Sequence, residues 1–387
     1  MANSGKAALL ARLTRRTHAF RSVQAGESVE GASPPSVFVG SYGYPKVFAG
    51  PLVPQVHGDT RIMDLPEQWL GVRGGQNEII DFRLQLIRGK QEVEIYDQSR
   101  HVQMLQEIAL SEKSTEVEAT FSQKPAGGFF HEEMQPFGPS APLKQMSVDS
   151  GKWDPKLEKA YNDTDLRATG AMTELYDKGT EVSAIQRALS VGALGIGKNR
   201  RLVPTRWSIT AVDSALSEKN MVEVKQNETI DEYRVYEHES MSNKFVMVLS
   251  PTLWNYEWVE AFYPHDIYEK LEIFSDSEGF EKKKQYSTVG GCYYSVRLAV
   301  AEALAKEKKQ AGSRVLREAY EDYVPLGVWN CRENARAAMA GKPEKFETFK
   351  QAMDYAHSRL RTGPGTWREN SRTIQKPVAQ TSLKKYL

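Results

Sequence analysis

Two apolar runs, residues 244–251 and 253–264, follow each other with one residue between them. Each has the length and the β-branched and aromatic content of a strand. Consecutive strands with no helix between them are typical of antiparallel sheets, because a parallel pair needs a long crossover. Helical spacing of apolar residues occurs at 181–191 and 296–304, without a strand–helix–strand rhythm. The sequence therefore predicts an α+β fold with a mixed, largely antiparallel sheet and packed helices.

The segment RLVPTRWSITAVDS, residues 201–214, alternates apolar and polar positions. This pattern predicts a strand with Trp207 on the apolar face and Arg206 on the polar face. Residues 125–155 are rich in Pro, Gly and Ser, and we expect a long surface loop there. Further helices are predicted at 154–178 and 346–360.

The two ends of the chain are more basic than its middle. Residues 1–23 carry five Lys or Arg and no acidic residue, and residues 361–387 carry six Lys or Arg and one Glu. The N-terminal bias is shared by transit peptides and by short helices that turn Ala8, Leu9 and Leu13 toward the body; we favour the helix. The sequence thus predicts three parts, which are a basic flexible segment at 1–36, an α+β core at 37–360 with a candidate split near 125–155, and a disordered basic tail at 361–387.

Charge and cysteine content exclude several protein classes. The 51 Lys and Arg balance 50 Asp and Glu, which argues against a histone-like coat protein but not against a local basic patch. No apolar run is long enough for a membrane span. Two cysteines, Cys292 and Cys331, cannot form a disulfide framework or a four-thiolate zinc site, and the histidines lack metal-ligand spacing. We therefore expect a protein of the cytoplasm with no metal site.

The last eight residues, QTSLKKYL, form the most specific short pattern in the chain. One helical turn would place Leu383, Tyr386 and Leu387 on one side as an apolar plug, with Gln380 left to hydrogen-bond a neighbouring pocket. The alternative is a frayed turn that packs on its own domain. The octapeptide resembles the motif by which DNA replication and repair proteins bind the sliding clamp PCNA.

Residues 192–199, GALGIGKN, nearly match the phosphate-binding loop G-x-x-x-x-G-K-[ST]. The match ends in Asn199 instead of a hydroxyl residue and follows a predicted helix instead of a strand, so nucleotide hydrolysis is not expected there. Lys198 and Arg200 remain candidates for holding a phosphate or the DNA backbone, as does Arg206.

The pair Gly290-Gly291 opens a predicted helix, where free backbone N–H groups suit an anion. Tyr294 is a candidate for stacking on a base, and Arg297 is a candidate for pairing with a phosphate. The alternative is that the glycines permit close helix packing and that the tyrosine belongs to the core.

Several separate strings resemble the archaeal Nre family of DNA repair proteins. They are Phe38-Val-Gly40 with Gly43-Tyr44-Pro45 and Gly50-Pro51, residues 201–213, Gly290-Gly291-x-Tyr293-Tyr294, and Leu326-Gly327-Val-Trp329 with Arg332-Glu333-Asn334. The resemblance covers about residues 35–340 and the terminal motif. It implies an archaeal protein that acts in DNA damage repair and binds PCNA through its tail. Family members often begin with a cysteine-rich zinc-binding segment, whereas this N-terminus has no cysteine.

Three hypotheses follow for the body of the protein. In the favoured one it is a nucleoid-associated, DNA-binding repair factor that contacts phosphates with Lys198, Arg200, Arg201 and Arg206. In the second it is a hydrolase on DNA ends or on a nucleotide-type ligand such as an ADP-ribose derivative, with Asp213 as base. In the third it is an adaptor. A converging pocket would add Gly43, Tyr44 and Arg332 to the binding residues, and the sequence names no cofactor.

Overall fold

A computed structural model describes residues 6, 8, 9, 12, 13, 23–128, 130, 131, 133–264 and 269–375. These residues form two six-stranded sheets together with helices. Both sheets contain one parallel pair among antiparallel pairs, so the predicted α+β fold is confirmed. None of the described helices is long and apolar enough to cross a membrane.

The described residues separate into two compact units. The first unit runs from Arg12 to Leu216 and includes Pro325–Asn330. The second unit contains Ser217–Val324, the described residues from Cys331 onward, and Lys6, Ala8 and Leu9.

The first unit contains one mixed sheet. Its strands are β1 (Ser28–Ser33), β2 (Val37–Val39), β3 (Lys46–Val53), β4 (Ile87–Glu94), β5 (Thr115–Phe121) and β6 (Ser140–Val148). They lie in the order β1-β5-β6-β4-β3-β2, and only β4 and β6 pair in parallel.

The helices up to residue 224 are α1 (Gly75–Leu84), α2 (Arg100–Leu110), α3 (Pro155–Asn162), α4 (Ala168–Asp177), α5 (Val182–Ser190) and α6 (Thr205–Val224). Helix α2 shows how they pack. Its Val102, Leu105 and Ile108 recur at helical spacing and are buried, and the helix lies against β3, β6 and α5. Helix α3 begins after Asp154, whose carboxylate accepts hydrogen bonds from the backbone N–H groups of Lys156 and Leu157.

The second unit contains the other sheet. Its strands are β7 (Tyr233–Ser240), β8 (Asn243–Ser250), β9 (Asn255–Phe262), β10 (Glu272–Glu278), β11 (Gly312–Ala319) and β12 (Glu344–Phe346). Their order is β10-β9-β11-β8-β7-β12, and only β9 and β11 pair in parallel. The later helices are α7 (Gly291–Glu307), α8 (Val328–Ala340), α9 (Phe349–Ser358), α10 (Pro364–Asn370) and α11 (Arg372–Gln375).

The predicted strands at 244–251 and 253–264 are confirmed as β8 and β9, and every residue of both strands is buried. They are not neighbours, because β11 lies between them. Strands buried on both faces at the centre of a sheet read as continuous apolar runs, which is why the sequence revealed them.

The predicted strand at 201–214 is wrong, because residues from Thr205 onward form helix α6. Buried Ile209, Val212 and Leu216 are three and four residues apart, which is helical spacing. The apolar–polar alternation that predicted a strand covers only a few positions, and the helical period prevails over the longer segment.

Three further expectations need correction. Residues 125–155 contain strand β6, the predicted helix at 154–178 is divided into α3 and α4, and helices α10 and α11 occupy part of the segment expected to be disordered. At the N-terminus, Leu9 and Leu13 are helical and buried, whereas Ala8 is exposed.

Candidate nucleic-acid interface

The turn between β2 and β3 carries exposed aromatic side chains on the first unit. Gly43 has a φ of +81°, and a β-carbon there would lie 2.9 Å from the carbonyl oxygen of Lys46. Glycine is therefore required for this turn, which the Lys46 N–H closes by donating to the Gly43 carbonyl at 3.1 Å. The side chain of Tyr42 is 89% exposed and that of Tyr44 is 41% exposed. The role of Gly43 is thus to shape the turn that presents these rings.

Tyr44 contacts Trp207, which lies in the first turn of α6. The two ring centroids are 5.0 Å apart at an interplanar angle of 53°, and Trp207 is 40% exposed. The Val39 N–H donates to Thr205 Oγ1 at 3.0 Å and ties the end of β2 to the start of α6. Exposed aromatic faces held in this way suit the stacking of unpaired bases.

A cavity of about 330 Å³ lies beside this aromatic pair. It is lined by Phe38, Val39, Gly40, Ser41, Tyr42, Phe48, Arg88, Lys90, His131, Met134, Phe137 and Arg206. Phe38 and Phe137 form an edge-to-face pair with centroids 5.2 Å apart. The guanidinium carbon of Arg88 lies 4.4 Å from the Phe38 centroid and 4.7 Å from the Phe137 centroid. Arg88 therefore packs against both rings, as cation–π contacts require.

Among the described residues, the charged side chains that line the cavity are all basic. Arg206 forms an ion pair with Glu133, Nε to Oε2, at 3.3 Å. Among the residues that the structure describes, no carboxylate pairs with Arg88 or Lys90. Burial and the neighbouring Arg83 lower the pKa of Arg88 to about 10, and burial and Arg88 lower the pKa of Lys90. An anion in the cavity would relieve this repulsion.

Arg201 extends the positive charge beyond the aromatic pair. Its Nη1 donates to the hydroxyl of exposed Tyr96 at 3.1 Å, and this hydrogen bond raises the pKa of Arg201. Tyr44 lies within electrostatic reach of the same guanidinium. Arg201 and Tyr96 line a second depression of about 240 Å³. We define the basic–aromatic surface as Tyr44, Arg88, Lys90, Arg201, Arg206 and Trp207.

The structure places three of the sequence-predicted binding residues, Tyr44, Arg201 and Arg206, on this surface, and Gly43 adjoins it. Lys198 is exposed on a short 3₁₀ turn. Arg200 donates to the backbone carbonyls of Gly195 at 2.8 Å and Tyr161 at 2.6 Å. The Arg200 guanidinium thus holds the loop that resembles a phosphate-binding motif, and that loop follows helix α5 as expected.

The other candidates lie elsewhere. Asp213 is fully buried in α6, where Gln186 Nε2 donates to its Oδ1 at 3.1 Å. Gly290 precedes α7 and Gly291 begins it, and the Tyr294 hydroxyl accepts a hydrogen bond from the Ser287 N–H. The terminal motif with Gln380, Leu383, Tyr386 and Leu387 lies outside the described residues.

Two arginine candidates in the second unit are neutralised by carboxylates. Buried Arg297 pairs with Glu278 at 2.9 Å and with Glu218 at 3.1 Å. Buried Arg332 pairs with Glu333 at 3.0 Å. Both guanidinium groups therefore have carboxylate partners, unlike Arg88.

Sequence reasoning missed Arg88, Lys90, His131 and Phe137. A signal was present, since Arg88 and Lys90 are two residues apart and project from the same face of β4. Their importance depends on rings and cations brought to them by β2, the segment before β6 and α6, which no local pattern reveals.

The chain matches known proteins along nearly its whole length. A family profile described as archaeal Nre, N-terminal, matches residues 1–269, and one described as archaeal Nre, C-terminal, matches residues 278–386. The DNA repair protein NreB of Archaeoglobus fulgidus is 44% identical over 365 residues, which cover 93% of this chain and 92% of the relative.

Two more distant relatives carry a similar description. The DNA repair protein NreA of Archaeoglobus fulgidus is 36% identical over 85% of this chain and 84% of its own length. The DNA repair protein NreA of Haloferax volcanii is 33% identical over 86% of this chain and 83% of its own length. No solved structure matches this chain significantly.

Proposed function

The chain belongs to the archaeal Nre family, and from this premise we propose that it is a DNA repair factor that binds DNA through the basic–aromatic surface. The names of its relatives, DNA repair proteins NreA and NreB, support the repair role. The observation that carries the DNA-binding part is the presence of two cations, Arg88 and Lys90, that no described carboxylate neutralises beside exposed aromatic rings.

The combination of groups favours unpaired strands over duplex DNA. Cations attract the phosphate backbone of either form, and they make the affinity fall as salt rises. Aromatic faces stack on bases only where the bases are not already stacked and paired. The Tyr44–Trp207 pair therefore adds affinity for single-stranded segments, such as those that damage and its removal expose.

We further propose that the sliding clamp PCNA recruits the protein through residues 380–387. The sequence pattern supports this part, with Leu383, Tyr386 and Leu387 as the apolar plug and Gln380 as the hydrogen-bonding residue. A repair factor held by the clamp would be concentrated at the nucleoid in the cytoplasm.

The position of Asp213 argues against the hydrolase alternative. Its proposed base, Asp213, is fully buried and hydrogen-bonded to Gln186, whereas a general base must reach the proton that it removes.

The test uses the full chain and a variant that lacks residues 380–387. Fluorescence anisotropy with labelled single-stranded and duplex oligonucleotides at several salt concentrations should show tighter binding of the single strand by both proteins. Pull-down with PCNA from the same organism should retain the full chain and lose the shortened one. Equal clamp binding by both proteins would contradict the recruitment proposal, and undetectable DNA binding at low salt would contradict the DNA-binding proposal.

A further inference from the structure

We infer that the cavity beside Arg88 binds the terminal nucleotide of an unpaired DNA strand, with its terminal phosphate monoester held by Arg88 and Lys90. This inference rests on the proposed function and specifies what part of the DNA the surface selects. It depends on the fixed position of the Arg88 guanidinium, on the charge of the cavity, on its size and on its neighbours.

Arg88 is positioned before any ligand arrives. Its backbone N–H donates to the Pro139 carbonyl at 2.8 Å, and its guanidinium packs against the Phe38 and Phe137 rings. Phe137 is itself buried in an apolar cluster with Leu52, Met63 and Leu86. The Arg88 Nε is shielded from solvent and has no hydrogen-bond partner among the described residues. A stacked guanidinium with unused donors is suited to planar, bidentate recognition of a phosphate.

The charge of the cavity favours a terminal phosphate over an internal one. Arg88 and Lys90 supply two positive charges that no described carboxylate compensates, and Arg206 adds a third that Glu133 balances. A phosphate monoester carries a charge of about −1.5 to −2 at neutral pH. A backbone phosphodiester carries one negative charge and would leave part of the positive charge unmatched.

The size of the cavity admits one nucleotide. A cavity of roughly 150 Å³ holds a benzene ring. The volume of about 330 Å³ therefore has room for about one base with part of its sugar phosphate, and not for a base pair. The ring of Phe48 and the highly exposed ring of Tyr42 line its wall and offer faces for that base.

The neighbours of the cavity provide a path for the rest of the strand. Arg206 lines the cavity, and the ring of the next residue, Trp207, contacts the ring of Tyr44. A strand whose last nucleotide lies in the cavity would place the following bases on this aromatic pair and the following phosphates near Arg206. Stacking of successive bases on aromatic rings is the usual mode of single-strand binding.

The experiment measures the affinity of the full chain for one single-stranded dodecamer with a 5′-phosphate, a 3′-phosphate or hydroxyl groups at both ends. We expect one phosphorylated form to bind about tenfold more tightly than the hydroxyl form, as charge-assisted hydrogen bonds to a phosphate require. Free deoxynucleoside monophosphate should compete weakly, because it lacks the stacked neighbours. Competition by the free nucleotide at the affinity of the strand end would overturn the assignment to DNA ends.

Variants identify the residues that cause the preference for a phosphorylated strand end. Arg88→Ala and Lys90→Ala should each reduce the preference for the phosphorylated end to about twofold or less, whereas Arg88→Lys, which keeps the charge and loses the planar donors, should retain an intermediate preference. The matched control is Lys152→Ala, since exposed Lys152 pairs with Glu112 at 3.4 Å. Thermal unfolding verifies that each variant is folded. If Arg88→Ala does not fold, Lys90→Ala tests the site in its place.

The outcomes separate this inference from the proposed function. Equal affinity for all three dodecamers, with Arg88→Ala weakening all of them alike, would overturn the end-binding inference and leave single-strand binding intact. Binding of none of them at low salt would contradict the proposed function itself.

Discussion

The ring of Tyr44 lies 5.0 Å from the ring of Trp207, centroid to centroid, although the two residues are 163 positions apart in the sequence. Aromatic pairs at this separation attract each other, so each ring restricts the motion of the other. Both rings remain about 40% exposed. A pair that is ordered and still accessible loses little conformational entropy when a base stacks on it, which is the property required of a binding platform.

Trp207→Ala should weaken binding of single-stranded DNA by roughly ten- to a hundredfold, because base–aromatic stacking contributes about 1–3 kcal/mol per base. The melting temperature should change little, since the side chain is only partly buried. Anisotropy with an unphosphorylated oligonucleotide measures the affinity. Phe280→Ala is the matched control, because Phe280 is 42% exposed in the second unit. An affinity loss as large in Phe280→Ala would contradict a specific role for Trp207.

The affinity for unphosphorylated single-stranded DNA should rise as pH falls below the ordinary histidine pKa of 6.5. Burial lowers the pKa of His131 by more than the charge of nearby Glu133 raises it. The positive charge of Arg206 lowers it further. The neutral ring accepts the Glu133 N–H at Nδ1 at 3.0 Å. Arg88 and Lys90 also line the cavity and oppose protonation. A bound phosphate would raise the pKa again, so binding takes up a proton and is favoured at lower pH.

Titration of the affinity between pH 5 and pH 8 at constant ionic strength checks this dependence. His131→Gln keeps a polar side chain and should flatten the profile below pH 6.5. A profile that is equally steep in the variant would assign the pH dependence to another group.

The carboxylate of Glu257 holds the last described residues of the chain. It is buried in β9 and accepts hydrogen bonds from Ser371 Oγ at 2.6 Å and from the Arg372 N–H at 2.7 Å. Glu257→Gln should lower the free energy of unfolding by about 1.5–3 kcal/mol, the usual contribution of a hydrogen bond to a charged group. Hydrogen exchange in residues 364–375 should increase, whereas the PCNA binding that we propose for residues 380–387 should persist. Glu344→Gln, at an exposed position on β12, is the control, and unchanged exchange in the Glu257 variant would contradict the anchoring role.

The elements that were predicted correctly are those with a clear pattern in their own sequence. Strands β8 and β9 were recognised because they are apolar throughout, and helix α5 because its buried residues follow helical spacing. Helix α6 was missed because a short alternating stretch has two interpretations. The helices after Arg361 were missed because they are anchored by Glu257, more than a hundred residues away, and no local pattern contains that contact.

The candidate site was predictable to a similar extent. Tyr44 and Arg206 were selected from separate strings and lie on one surface, but Arg88 becomes notable only once its two phenylalanines are known. Arg297 was an equally reasonable candidate by sequence. Its carboxylate partners, Glu218 and Glu278, come from other parts of the chain and make it a structural residue.

The second unit contains a buried ion pair whose removal should be costly. Arg317 Nη1 lies 2.9 Å from Glu260 Oε2, and both side chains are fully buried. Glu260 also accepts a hydrogen bond from buried Lys6, and the guanidinium packs against the rings of Phe245, Phe262 and Tyr323. Glu260→Ala would leave the positive charges of Arg317 and Lys6 buried without their carboxylate partner.

The expected loss in Glu260→Ala is about 3–5 kcal/mol in the free energy of unfolding, the usual penalty for breaking a buried pair. The double variant Glu260→Met, Arg317→Met should lose less than the sum of the two single changes, because apolar side chains then fill the site with no uncompensated charge from the pair. Chemical denaturation of the single and double variants measures this coupling. Additive losses would show that the two groups stabilise the fold independently and that the pair is not the unit of stability.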